Sequence, residues 1–199
     1  MAVPPTKTKE GYEVQFGTNH MGHFLLTKLL LPTLQKTASK PGSDVRIINL
    51  SSQGHLMAPS KGIDFEHPDL PDAGVWVRYA QSKLANIKFT QALTAKYPSI
   101  TNVAVHPGVV NTNLANTWLK NFLWIRPFAA LLLNTPANGA KNQLWACVAP
   151  KGEDFGKVES GAYYLPVGQK NPGSKFLKDD ELTEKLWTWS EEELKKHGY

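Results

Sequence analysis

Tyr79 and Lys83 stand four positions apart in the run Tyr79-Ala80-Gln81-Ser82-Lys83, the spacing at which two side chains leave the same face of an α-helix. A free phenol ionises near pH ~10 and exchanges protons poorly at neutrality, whereas a fixed positive charge beside it stabilises the phenolate and draws that value down. Such a pair can pass a proton to or from an alcohol or carbonyl oxygen. The pentapeptide alone is common on amphipathic helices, so its meaning depends on what the chain brings to it. Ser51 and Ser52 are candidates for holding a substrate oxygen, because they close the apolar run Val45-Arg46-Ile47-Ile48-Asn49-Leu50 and ligands of open α/β sheets bind beyond the carboxyl ends of strands. Strand alternation predicts that only one of the two points inward. Asn19, between Gly17 and Gly22, is poorly placed for helix propensity, and the looseness there could turn its side chain or carbonyl into a site.

The elements that must position these groups alternate between helices and short apolar strands, the pattern of a parallel sheet covered by helices. A first helix is expected from Glu10 to Leu31, ending before Pro32. The strand at 45–50 leads into a long Pro-, Gly- and Asp-rich loop from Gln53 to Val75, of the length that is usually functional or mobile. The helix carrying Tyr79 and Lys83 runs to Tyr97 before Pro98, and a second strand, Thr101 to His106, opens directly into the turn Pro107-Gly108-Val109-Val110-Asn111-Thr112. Further on come a helix from Pro136 to Val148, a third strand over 161–166 and a terminal helix from Asp179. A capping box of Ser190 with Glu193 would break that last helix near Trp189. The apolar stretch Trp118 to Leu133, with Phe122, Leu123, Trp124 and Phe128, reads as a lid over an apolar pocket or as an interfacial membrane contact.

Composition bounds the function. One globular domain is the expectation for 199 residues of which 41% are hydrophobic and 20% charged. The 22 basic residues give a net charge of +5 but form no block, which argues for a solvated surface and against nucleic acid. The single Cys147 excludes an internal disulfide, is expected to pack in the core, and favours a reducing, cytoplasmic compartment. The N-terminus is neither a signal nor a transit peptide, and no run approaches the ~20 apolar residues that span a bilayer. His20 and His23 lack a third ligand at sensible spacing, so no metal is expected and packing or surface roles are favoured. A serine hydrolase is disfavoured, since Ser52-Gln53-Gly54 matches only half of G-x-S-x-G.

In that order, Asn19 in a helix, Ser52 at a strand end, Tyr79-x-x-x-Lys83 and Pro107-Gly108-x-x-x-Thr112 resemble the classical short-chain dehydrogenase/reductase family. The wording Asn19-His20-Met21-Gly22-His23-Phe24, Asn49-Leu50-Ser51-Ser52 and Tyr79-Ala80-Gln81-Ser82-Lys83-Leu84-Ala85-Asn86 is most similar to its retinol-dehydrogenase-like branch. The resemblance implies the C-terminal part of a doubly wound Rossmann-type α/β fold, a parallel sheet with helices on both faces. It implies Tyr79 as general acid/base, Lys83 lowering its pKa and bonding the nicotinamide ribose, Ser52 holding the substrate oxygen, and Asn19 ordering a water in a relay to Lys83. Pro107, Gly108, Val110 and Thr112 would meet the nicotinamide of an NAD(P) cofactor, and the chemistry would be hydride transfer between a hydrophobic carbonyl and its alcohol.

One departure is severe. No glycine triplet of the G-x-G-x-x-G type follows any strand, and the Asn-Asn-Ala-Gly turn that ends the family's fourth strand is missing. The residue that would choose between NAD and NADP lies in the same part. The expectation is a single truncated domain over 1–199 lacking its N-terminal strands, with roughly 100 residues upstream at on the order of 30 per strand-helix unit, marginal stability and weak NAD(P) binding. The alternative is a non-catalytic fragment acting through helix-mediated association, because helices 10–31 and 78–97 resemble the family's dimer-forming pair.

Overall fold

The computed structural model describes residues 3–110 and 134–199. Four strands, β1 (Arg46–Leu50), β2 (Thr101–Val105), β3 (Tyr163–Leu165) and β4 (Gln169–Lys170), form one sheet in the order β1-β2-β3-β4. The first three are parallel, with Leu50 opposite Val105 and Ala104 opposite Tyr163, and β4 returns antiparallel on β3. The helices are α1 (Val14–Phe16), α2 (Gly22–Ala38), α3 (Val75–Lys96), α4 (Pro136–Val148) and α5 (Asp180–Lys196).

Alternation along β2 sorts the helices onto two faces. Val103 and Val105 pack with Ala146, Ala149 and Tyr164 on the α4 side, while Ala104 and Tyr163 join Phe24, Leu84, Ile87 and Leu186 on the side of α2, α3 and α5. Period-two side-chain alternation thus gives the strand two cores. All of β2 is buried, whereas β1 is half-buried along its length and Leu50 is 45% exposed, so β1 is the open edge of the sheet among the described residues.

The first helix differs from expectation at both ends. A π-helical turn, Gly17–Met21, joins α1 to α2, and the helix then runs through Pro32 to Ala38. A proline inside a helix normally costs about 3 kcal/mol. Pro32 faces solvent, and Leu34 and Ala38 beyond it still pack against the core. The terminal helix is likewise unbroken: Asp179 caps it by accepting from Leu182 N at 2.9 Å, and Ser190 is a buried interior residue bonded to His20 Nε2 at 2.8 Å rather than a cap. Cys147 is exposed, not packed in the core, because the inward face of α4 is taken by Gly139, Asn142 and Ala146.

Candidate active site

Ser52 leaves β1 in extended conformation and caps a short 3-10 helix, Gln53–Met57, its Oγ accepting from Gly54 N at 3.0 Å. The same hydroxyl faces the Tyr79 ring across Gly54 and draws the phenol pKa down. The two come this close because residue 54 has no side chain: a Cβ there would lie 3.0 Å from Tyr79 Cε1 and 3.3 Å from Ser52 Oγ. Burial pushes the Tyr79 phenol above its ordinary pKa, and the Ser52 hydroxyl pulls it back. The chain therefore presents a phenol that burial keeps protonated, beside a serine hydroxyl beyond the carboxyl end of the edge strand.

Lys83 is one turn further along α3, its Nζ 5.8 Å from the centre of the Tyr79 ring and 3.1 Å from the Leu50 carbonyl, to which it donates. Burial lowers its pKa to about 8. The expected pull of Lys83 on the Tyr79 phenol is not what governs it; burial dominates in the other direction because the ammonium is directed at the strand end and not at the hydroxyl. Asn86 Nδ2 donates to the same carbonyl at 2.8 Å. Ser51 Oγ donates to the Lys83 carbonyl at 2.7 Å. Both serines thus engage α3, against the expectation that one would turn away, since the chain leaves the pleat at Ser52. Ser52 is the one whose Oγ faces the Tyr79 ring across Gly54.

Asn19 occupies the π turn, where Gly22 N–H bonds to Gly17 O five residues back, a local geometry that recurs at functional sites. Its Nδ2 donates to Ser82 Oγ at 2.9 Å, and Ser82 Oγ donates to the Tyr79 carbonyl at 2.7 Å. The Asn19 carbonyl lies 3.1 Å from His23 Nδ1. Its neighbour His20 is fully buried among the rings of Phe16, Phe24 and Phe89, where burial drops its pKa to about 3. No group of three His, Cys, Asp or Glu among the described residues could hold a metal.

The Pro107-Gly108 turn follows β2 as expected, with Gly108 at φ +82. Val110 bridges to Asn134, and Gly139 of α4 is the bare surface against which the Val110 side chain lies. Sequence reasoning missed the residue that anchors this turn. Asn142, fully buried, donates to the His106 carbonyl at 2.7 Å and to the Tyr164 carbonyl at 3.2 Å, and accepts from Gly168 N at 3.0 Å. An asparagine three residues from a glycine and four from an alanine, on the small-residue face of a helix, was the available signal. Gln81 was also missed. It accepts from Asp64 N and donates to Pro68 O, both at 2.9 Å, and so pins the long loop to α3. Thr112 and the apolar stretch 118–133 lie outside the described residues.

No family model matches the chain. Among curated proteins it is similar to the short-chain dehydrogenase/reductase drtF of Aspergillus calidoustus, at 38% identity over 98% of this chain and 66% of that protein. Human polyprenol dehydrogenase is 35% identical over 96% of this chain and 57% of its own length, and mouse retinol dehydrogenase 13 is 37% identical over 96% and 56%. Among solved structures, an uncharacterised protein of Mycobacterium paratuberculosis superposes with a TM-score of 0.67 at 31% identity, covering 98% of this chain and 63% of that one. The chain therefore spans about three fifths of the length of these proteins.

Proposed function

The chain belongs to the short-chain dehydrogenase/reductase family, and from that premise we propose that it serves the NAD(P)-dependent interconversion of a hydrophobic aldehyde or ketone and its alcohol. The observation that carries the reading is the close approach of Ser52 Oγ and the Tyr79 ring across Gly54, with Lys83 one turn away on α3. In reduction, Tyr79 holds the proton that the substrate oxygen receives, and burial keeps that proton on the phenol at neutral pH. Ser52 Oγ supplies the second hydrogen bond to the same oxygen, fixing the carbonyl against the phenol. Asn19, through Ser82 and the Tyr79 carbonyl, fixes the segment of α3 that carries the pair.

The residues present fit one end of the cofactor. Lys83, Tyr79 and the turn Pro107, Gly108 and Val110 lie at the carboxyl ends of β1 and β2, where a nicotinamide and its ribose would be held. Gly108, at positive φ, lets Asn134 approach, and Val110 seats on the bare Gly139 of α4, so the turn is held against the start of that helix. For the pyrophosphate, no described strand is followed by a glycine-rich turn whose successive amides could receive it. Bound there, NAD(P) would supply or accept the hydride.

The hydrophobic substrate class rests on the names of the polyprenol and retinol relatives and on the apolar residues Trp118, Phe122, Leu123, Trp124 and Phe128. Turnover of a panel of long-chain and ring carbonyls against polar sugars tests it; faster reduction of the sugars rejects the reading.

A second reading, helix-mediated association, is favoured by Leu26, Leu29 and Leu30, which are 53%, 66% and 47% exposed on α2. The apolar face of α3 is buried within the chain, so such an interface would rest on α2. Binding of NAD(P)H by the 199-residue chain, followed by nicotinamide fluorescence, separates enzyme from association fragment. No helix among the described residues is long and apolar enough to cross a membrane.

A further inference from the structure

His55 lies three residues beyond Ser52 and is 1% exposed. Both of its ring nitrogens are engaged. Ser174 N–H donates to Nε2 at 3.2 Å, so Nε2 carries a lone pair and the ring proton sits on Nδ1. That Nδ1–H faces the Ser52 carbonyl at 2.7 Å. The His55 backbone N–H donates to the same carbonyl at 3.1 Å, so one residue binds the Ser52 carbonyl twice. The ring is wedged edge-on against Tyr163, with centroids 5.1 Å apart. Burial pushes the imidazole below its ordinary pKa, in keeping with a neutral ring.

The far end of this clamp is itself fixed. Asn171 N donates to the Tyr163 carbonyl at 2.9 Å, and Asn171 Oδ1 accepts from Gly173 N at 2.8 Å. Gly173 adopts φ +64, and a Cβ on it would come within 3.2 Å of His55 Nε2, so the close approach needs glycine. The Ser52 turn is thereby tied to a segment 119 residues away in sequence.

We propose that His55 is a positioning residue: through its Nδ1–H on the Ser52 carbonyl and its Nε2 on the Ser174 amide, it holds the Ser52 hydroxyl against Tyr79. This rests on the reading of Ser52 and Tyr79 as ligands of the reacting oxygen for its effect on rate, and on geometry alone for its effect on the approach of Ser52 to Tyr79.

The test uses the 199-residue chain and the pair His55→Asn and His55→Gln. An asparagine amide falls near the place of Nδ1 and can keep the donor to Ser52; a glutamine amide falls near Nε2 and keeps only the link to Ser174. In the wild type, 15N shifts of the His55 ring are expected to show a neutral imidazole with the proton on Nδ1, and a proton on Nε2 overturns the proposal. The Tyr79 phenol, assigned by its loss in Tyr79→Phe, is expected to titrate higher in His55→Gln and near its wild-type value in His55→Asn, because only the former frees Ser52. On a hydrophobic aldehyde, kcat is expected to fall on the order of 10-fold to 100-fold in His55→Gln with KM little changed, and to be largely kept in His55→Asn. Equal behaviour of the two variants in the Tyr79 titration overturns the positioning role. A wild-type chain that reduces no carbonyl while the Tyr79 titration still separates the variants counts against the proposed function and leaves the clamp standing.

Discussion

Lys83 Nζ donates to the Leu50 carbonyl at 3.1 Å, while Tyr79, one helical turn away, meets Ser52 Oγ across Gly54. The two halves of the Tyr-x-x-x-Lys pair thus address different atoms, the strand end and the serine. Their shared surroundings act on them in opposite senses, raising the phenol and lowering the ammonium, which is what burial does to an acid and a base.

Tyr79→Phe removes the proton donor and leaves the ring in place. Reduction of a hydrophobic carbonyl is expected to fall by roughly 100-fold to 10,000-fold with the thermal unfolding midpoint little changed. Steady-state rates beside a melting curve check both halves; comparable turnover removes Tyr79 from the mechanism.

Gly54→Ala tests the close approach of Tyr79 and Ser52. The added methyl would stand 3.0 Å from Tyr79 Cε1, so ring and serine must part by a few tenths of an ångström. A loss of roughly 10-fold or more in kcat is expected, since small misplacements of reacting groups are costly. An unchanged kcat shows that the turn can yield without moving either hydroxyl.

Arg78 and Glu13 form a buried pair at 3.8 Å, each side chain 3% exposed. Glu13 also accepts from Phe16 N at 2.8 Å and so caps α1, and Arg78 Nη1 donates to the Ala73 carbonyl. Arg78→Leu strands a buried carboxylate and is expected to cost about 3 to 5 kcal/mol, whereas Glu13→Leu combined with Arg78→Leu recovers part of it. Urea unfolding of the three proteins decides, and a double variant no better than the single one shows that the charges are not coupled.

Lys88 is fully buried, and burial lowers its pKa from 10.5 to about 8, with Asp179 and Asp180 opposing. Between those two values the unfolded chain binds the proton that the folded chain has released, so stability rises with pH through that window. Relative to Lys88→Met, the wild type is expected to gain stability from pH 8 towards pH 10. Urea midpoints of both proteins across that range check the sign; a gap that widens against the wild type refutes it.

The site was legible in the sequence where chemistry needs a particular residue at a fixed spacing. Helical geometry puts Tyr79 and Lys83 on one face and the β-branched run puts Ser51 and Ser52 beyond a strand end, while the choice of Ser52 and the role of Asn19 come from the family resemblance. What stayed hidden were residues acting through backbone groups. Asn142 and Gln81 are ordinary polar residues until the fold brings carbonyls and amides from distant segments onto them, and no local pattern announces that. Pro32 misled for a related reason: local propensity ends a helix there, but the packing of Leu34 and Ala38 outweighs one lost hydrogen bond. Gly54 was read only as part of a failed hydrolase motif, because its role is the absence of a side chain beside a ring 25 positions on.

The π turn at Gly17–Met21 can also be viewed as a matter of angular phase. Each residue of an α-helix advances the chain by roughly 100° about the axis, and the ring closed from Gly22 N–H to Gly17 O holds one residue more than an α-helical ring. That surplus sets the azimuth at which Asn19 meets Ser82 while, one residue on, His20 meets Ser190. Rewinding the segment as plain α-helix would rotate α1, with its Glu13 anchor to Arg78, away from the azimuth set by α2. Changes of residue count, more than changes of residue type, are therefore what this stretch of chain cannot absorb.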